Sequence, residues 1–165
     1  MPLTPLLARF SAAVQANDGR ALAALFTEDG VYDDGFFGPH RGRPAIAAML
    51  QRFHDGGRDY WWEFIDPVLS ESVGYARWRF SYASRNPHVL DQPVLFEGMS
   101  CFTLRGGAIA YYREIFDRGL ALVQQDYPAE QLKRILGNAA AMQNAKPENH
   151  AHLARFAPSA LNDGA

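Results

Sequence analysis

The chain has 165 residues, a formal net charge of −2, 48% hydrophobic residues and 13% aromatic residues. These values describe one globular domain large enough for a core and an internal cavity, and they exclude the basic footprint that nucleic acid or an anionic membrane surface would require. Cys101 is the single cysteine, so no disulfide can form within the chain; no stretch reaches the ~20 apolar residues of a membrane span, and no signal-peptide pattern opens the chain. The expected compartment is the cytoplasm.

Thr4-Pro5 reads as a helix start, and Leu6, Leu7, Phe10, Ala13 and Val14 recur at helical spacing to about Ala16. Asn17-Asp18-Gly19 breaks that helix, and Asp18 can cap a second, shorter one carrying Leu22, Leu25 and Phe26. Glu28-Asp29-Gly30 launches a strand over Val31–Asp34, followed by a loop from Gly35 to Gly42. Pro44 opens a third helix with the apolar stripe Ile46, Met49, Leu50 and Phe53. From Asp59 the period changes to two: a strand over Tyr60–Ile65, then a shorter one near Val68-Leu69 beyond Pro67.

Val73 to Ala83 is the clearest strand, with Ala76, Trp78, Phe80 and Tyr82 on one face and Tyr75, Arg77, Arg79 and Ser81 on the other. A polar loop holding His88 and Asp91 leads into the next strand, from Phe96 to Leu104. Gly106-Gly107 supplies the positive φ angles of a tight hairpin turn. In the return strand Ala110, Tyr112, Glu114 and Phe116 share one face, which puts one acid between aromatic neighbours. After Asp117 a helix carries Leu120 and Val123, Pro128 starts another with Leu132, Ile135 and Leu136, and Ala145 to Ala165 reads as a polar arm. The expected fold class is α+β: N-terminal helices packed on a strongly curved, mainly antiparallel sheet in a cone-shaped domain over residues 1–125, with a C-terminal helix and tail over 126–165.

The segments Phe26-Thr27-Glu28-Asp29-Gly30-Val31-Tyr32-Asp33-Asp34, Gly42-Arg43-Pro44-Ala45-Ile46 and Arg113-Glu114-Ile115-Phe116-Asp117, in that order after two helices, resemble the nuclear-transport-factor-2-like superfamily. SnoaL-like polyketide cyclases, ketosteroid isomerases and limonene-epoxide hydrolases belong to it. The resemblance implies a cone with a deep pocket at its mouth. Against ketosteroid isomerases it puts Asp34 at the general base, while the two oxyanion donors fall at Phe10 and Ser100; Phe10 cannot donate, so that machinery is incomplete. Against limonene-epoxide hydrolases it puts Tyr32 and Asp34 where water is held and Glu114 at a catalytic acid. The other acid and its arginine fall at Trp78 and Phe80 in the register set by the apolar alternation.

Asp34, Glu114 and Tyr32 are therefore the candidate catalytic residues. Two carboxyls facing one aromatic cavity raise each other's pKa, which lets one act as base and the other as protonated donor. The plainer alternative leaves Asp34 at the rim in solvent and Glu114 paired with an arginine. The candidate pocket wall is Phe10, Val14, Met49, Phe53, Trp62, Trp78, Phe80, Ser100, Phe102, Tyr112 and Phe116, with His40, His88 and Asp91 as possible rim residues. No metal-ligand spacing or cofactor motif is present, so the expected chemistry is cofactor-independent: an isomerase, lyase or hydrolase acting on a small hydrophobic cyclic molecule such as a polyketide, terpenoid or steroid-like compound. The alternative is a module that binds such a molecule without converting it. Arg77, Arg79, Glu97, Tyr111 and Arg113 on the opposite sheet face suggest a homodimer interface.

Overall fold

The computed structural model describes residues 3–156, and the chain divides into two compact units, Met1–Asp126 and Tyr127–Ala165. The first unit runs α1 (Leu3–Gln15), α2 (Gly19–Ala24), β1 (Phe26–Asp34), β2 (Gly38–Arg41), α3 (Arg43–Asp55), β3 (Gly57–Ser70), β4 (Val73–Ser84), β5 (Pro93–Arg105), β6 (Ala108–Phe116) and α4 (Arg118–Val123). Its strands form one six-stranded sheet in the order β2-β1-β6-β5-β4-β3. Every neighbouring pair is antiparallel except β1 and β6, which run parallel. This is the expected α+β architecture.

The helices form where the apolar spacing puts them. α1 buries Leu6, Leu7, Phe10, Ala13 and Val14 and packs on β3. Thr4 lies inside this helix rather than capping it, because Leu3 is already helical. Asp18 does cap α2, its carboxylate accepting from the Ala21 amide at 2.8 Å. Pro44 occupies the first turn of α3, which buries Ile46, Met49 and Leu50 and lies against β1 and β2.

The strands are longer than their composition suggests. β1 begins at Phe26 rather than Val31, its register with β6 shifting between these two residues. The expected Gly35–Gly42 loop contains β2, which pairs back on β1 with His40 opposite Tyr32. β3 runs unbroken through Pro67; the ladder slips between Ile65 and Val68, and Asp66 takes φ 50° there. A proline is tolerated because β3 is an edge strand and the irregularity absorbs its missing donor. The alternation in β4 buries Ala76, Trp78 and Phe80 and turns Tyr75, Arg77 and Arg79 outward. Gly106 and Gly107 take φ values of 60° and 82° in the β5–β6 turn. Gln124, just after α4, bonds to both the amide and the carbonyl of Leu95 and so fixes the chain beyond β6 to β5.

The second unit has its own short organisation. Pro128 precedes α5 (Ala129–Asn144), and a 3-10 turn over Pro147–Asn149 leads into α6 (His150–Ala154). The expected irregular arm from Ala145 is thus helical over much of its described part, and residues 157–165 of it lie outside the described residues. None of the residues in these helices is buried.

Candidate active site

The site is built where the first strand meets the last. Parallel pairing sets Tyr32 beside Tyr112 and Asp33 beside Arg113. Alternation then sends Tyr32, Asp34, Tyr112 and Glu114 to the inner face and Asp33, Tyr111 and Arg113 to the outer one. On the outer face Asp33 accepts from the Tyr111 hydroxyl at 2.8 Å and faces Arg113 at 3.8 Å. That arginine is therefore engaged on the far side of the sheet from Glu114.

Glu114 is held by phenols. Its Oε1 accepts from the Tyr32 hydroxyl at 2.5 Å and from the Tyr112 hydroxyl at 3.0 Å, while Ser100 Oγ donates to the Tyr112 oxygen at 2.8 Å. The Gly35 amide reaches its Oε2 at 3.4 Å. Burial, and then the charge of Asp34, push the Glu114 carboxyl up to about 8, against the pull of the two phenols and the Gly35 amide. The shift biases Glu114 toward its protonated form near neutral pH, and with Oε1 taken by two donors a proton would sit on Oε2.

Asp34 is 4% exposed. Its Oδ1 accepts from the Phe36 and Phe37 amides, both at 2.7 Å, a local turn that folds the β1–β2 loop over its own carboxylate. Burial raises its pKa above the usual carboxylate range; those two amides, His40 and Arg118 oppose the rise.

Both carboxyls border one cleft, lined also by Phe36, Phe53, Trp62, Trp78, Phe80, Phe96 and Phe116. It holds about 230 Å³ of space, counting its open mouth, and its enclosed part is about the size of one water. The walls are close-packed rings: Trp62 lies 5.3 Å from Trp78 and Phe96 lies 5.1 Å from Phe116, centroid to centroid. Two glycines make room for them. A side-chain carbon at Gly35 would meet the Phe116 ring, and one at Gly98 would meet the Trp78 indole.

Several expected wall residues lie elsewhere. Phe10, Val14, Met49, Ser100, Phe102 and Tyr112 belong to the core and do not border the cleft. Phe10 is the reason for much of this: its ring sits 5.0 Å from Tyr112, 5.5 Å from Trp62 and 5.5 Å from Phe64, so α1 fills the interior that a larger pocket would occupy. Ser100 and Tyr112 act through Glu114 instead, as the outer members of its hydrogen-bond chain. Of the rim candidates, Asp91 is paired with Arg58 at 2.9 Å and the His88 amide is held by the Asn86 side chain, and neither borders the cleft. His40 is half-buried on β2, and burial lowers its pKa against the opposing charge of the neighbouring Asp34. Asp117 caps α4 through the Leu120 amide at 3.1 Å.

Phe36 and Phe96 were not among the expected wall residues. The alternation of β5 places Phe96 on the face of Ser100 and Phe102, so its position was readable. Phe36 sits in a turn, where no periodicity marks an inward side chain. Among the described residues no cluster of three or more His, Cys, Asp or Glu is placed to hold a metal ion, and no helix is long and apolar enough to cross a membrane.

The sequence matches the SnoaL-like domain family over residues 7–112, and the chain belongs to that family. Similar solved structures share its nuclear-transport-factor-2-like fold. A hypothetical protein of ketosteroid isomerase-like fold from Catenulispora acidiphila, in complex with trimethylamine, aligns with TM-score 0.68 at 19% identity, covering 76% of this chain and 95% of its own. IdmH of Streptomyces antibioticus, a candidate polyketide cyclase, aligns with TM-score 0.64 at 18% identity over 77% of this chain and 100% of its own. An epoxide hydrolase of M. tuberculosis, similar to limonene-epoxide hydrolase, aligns with TM-score 0.59 at 18% identity over 83% and 93%. Comparison with curated proteins finds no match.

Proposed function

We propose that this protein is a cofactor-independent acid/base enzyme, an isomerase, lyase or hydrolase, acting on a small ring compound that carries an oxygen function. The observation that carries the reading is Glu114: a carboxyl on an aromatic cleft, bonded by two phenols and, among the described residues, by no cation, with its pKa pushed up to about 8 by burial. Glu114 supplies a proton from Oε2 to a substrate oxygen, and Asp34 receives one from a carbon beside it. In enolisation, the step that isomerases and lyases share, the C–H proton goes to Asp34. The C–H electron pair moves toward the oxygen, which takes the Glu114 proton. Two proteins of this fold are named as an epoxide hydrolase and a candidate polyketide cyclase, and the reading is compatible with both names.

The test is Glu114→Gln, which keeps the shape of the side chain and removes the exchangeable proton. A thermal-shift screen of aromatic polyketides, terpenoid epoxides and steroid-like ketones supplies the ligand. The variant should retain binding and lose turnover by at least ~100-fold, the lower end of what a positioned acid contributes. Unchanged turnover in the variant would sink the reading.

A binding module without turnover is the second reading, favoured by Asp34, whose Oδ1 is already occupied by two loop amides. The protein is further proposed to be a cytoplasmic homodimer. Met99 and Ile115 stand opposite each other and are exposed on the outer sheet face, between Glu97 with its partner Arg79 and Arg113 with Asp33. An apolar centre with a charged border suits a second copy of the same face.

A further inference from the structure

The cleft is smaller than the molecule it is read to receive. Its enclosed part has room for about one water, while Glu114 and Asp34 both stand on its wall. A ring compound therefore reaches the two carboxyls only if part of the wall gives way. Most of the aromatic wall is anchored on regular elements: Phe53 on α3, Trp62 on β3, Trp78 and Phe80 on β4, Phe96 on β5 and Phe116 on β6. Phe53, near the end of its helix, is tied further. Its carbonyl accepts from the Tyr60 hydroxyl at 2.7 Å, and its ring stacks on Tyr60 at 5.0 Å. Trp78 and Phe80 are 2% and 1% exposed, so moving either would open a void in the core.

Phe36 differs from these, because a turn carries it. Asp34 pairs with Gly38, so Gly35, Phe36 and Phe37 make the turn between β1 and β2, and β2 is a four-residue strand at the sheet edge. The Phe36 ring is half-buried and leans on Phe116, 4.9 Å away, and on Phe96, 6.3 Å away. Its backbone is held, since Asp34 Oδ1 accepts from the Phe36 and Phe37 amides. Those bonds fix the peptide groups and leave the side chain its rotation about χ1. There is room outside for the rotated ring. A side-chain carbon at Gly38 would meet nothing within 4 Å, and the Phe37 ring, 69% exposed, lies 6.3 Å from the Phe36 ring as an apolar neighbour.

We infer that Phe36 is the movable wall of the cleft: an incoming ring compound takes the place of the Phe36 ring, which turns out toward Phe37 while the turn keeps Asp34 fixed. Rotation of the side chain, unlike a swing of the whole turn, preserves both amide bonds and so keeps the Asp34 carboxylate where a base is needed. The inference rests on the proposed reading of the cleft as the substrate site.

The probe is 2-acetonaphthone, a ketone on two fused rings. 4-Fluorophenylalanine replaces Phe36 in the full chain and, in separate chains, Phe37 or Phe80. The change in fluorine chemical shift between H₂O and D₂O then reads how far each ring meets solvent. Saturation with the ketone should raise the reading at Phe36 toward that at Phe37 and leave Phe80 unmoved. Phe36→Ala has no ring to displace and should bind the ketone about tenfold tighter, because the burial of a half-buried phenylalanine is no longer given up. Phe37→Ala should stay within about twofold of the unmodified chain. Saturable binding that lowers the solvent reading at Phe36 or leaves it unchanged, or weaker binding by Phe36→Ala, makes the ring a fixed contact and overturns the inference while acid/base catalysis stands. Binding by Phe36→Ala alone makes the ring a fixed plug and overturns it equally. No binding by either chain removes the inference and the small-molecule reading together. Turnover that survives Glu114→Gln, by contrast, sinks the catalytic reading and leaves the fluorine response in place.

Discussion

The Tyr32 hydroxyl makes the shortest contact to Glu114, at 2.5 Å, and it favours the ionised carboxylate. Tyr32→Phe removes that stabilisation, so the Glu114 pKa should rise above about 8. Tyr112→Phe should act in the same direction by less, because its bond is longer, at 3.0 Å. It also leaves the buried Ser100 hydroxyl without its acceptor, at a cost of about 1–3 kcal/mol in stability. If Glu114 is the acid, kcat/KM falls as pH rises through about 8, and Tyr32→Phe moves that limb to higher pH. Asp34, with its raised pKa, sets the acid limb. The same shift appears in stability. The folded pKa of about 8 lies above the ordinary value of 4.5, so the folded state holds a proton that the unfolded chain releases. Stability is full below about 4.5 and declines as pH rises toward about 8, by a few kcal/mol in total. Glu114→Gln should flatten that decline in urea melts taken across the range. A wild-type profile without it would mean Glu114 is ionised throughout.

At the scale of elements, the β1–β2 loop and the Trp78 strand set the cleft. Asp34→Asn keeps an oxygen for the Phe36 and Phe37 amides but cannot take a proton; Asp34→Ala releases the loop as well. Asn should therefore preserve the thermal midpoint and lose turnover, whereas Ala should lose both. Gly98→Ala should cost about 1–3 kcal/mol, because its methyl group displaces the Trp78 indole. A denaturation midpoint unchanged by that substitution would show that the ring can move freely. These elements differ in how legible they were. Period-two alternation in β4 and β6 placed Trp78, Phe80, Glu114 and Phe116 on the inner face from composition alone. The phenol pair on Glu114 was not readable in the same way. It depends on β1 lying parallel to β6 in one register, a pairing across 82 residues that no local pattern encodes. Phe10 misled for a related reason: helical spacing shows that it is buried, and only packing shows that it fills the interior instead of lining it.

For the whole molecule, every residue counted in the buried core lies at or before Leu122. A chain ending at Asp126 should therefore unfold cooperatively with its midpoint within a few degrees of the full chain, as read by circular dichroism. If the outer sheet face pairs two copies, sedimentation should give a dimer mass at micromolar protein. Met99→Glu, which sets a charge into the exposed apolar centre, should then yield monomers. A monomer mass for the unmodified chain would end the dimer proposal.

The β1–β6 seam also governs when the protein can become itself. As the chain leaves the ribosome, β1 emerges early and has only β2 to pair with, while its other edge waits for a strand not yet made. β3, β4 and β5 can form a meander through local hairpins in the meantime, since each pairs with its neighbour in sequence. Closing the seam is the long-range step, and such steps limit the rate at which sheets fold. Until β6 arrives, Tyr32 has no carboxyl to meet and the hydrophobic edge around Phe26 stays open to other chains. Nascent chains arrested with Arg105 just outside the ribosome should bind holding chaperones strongly, and release should coincide with the emergence of Phe116.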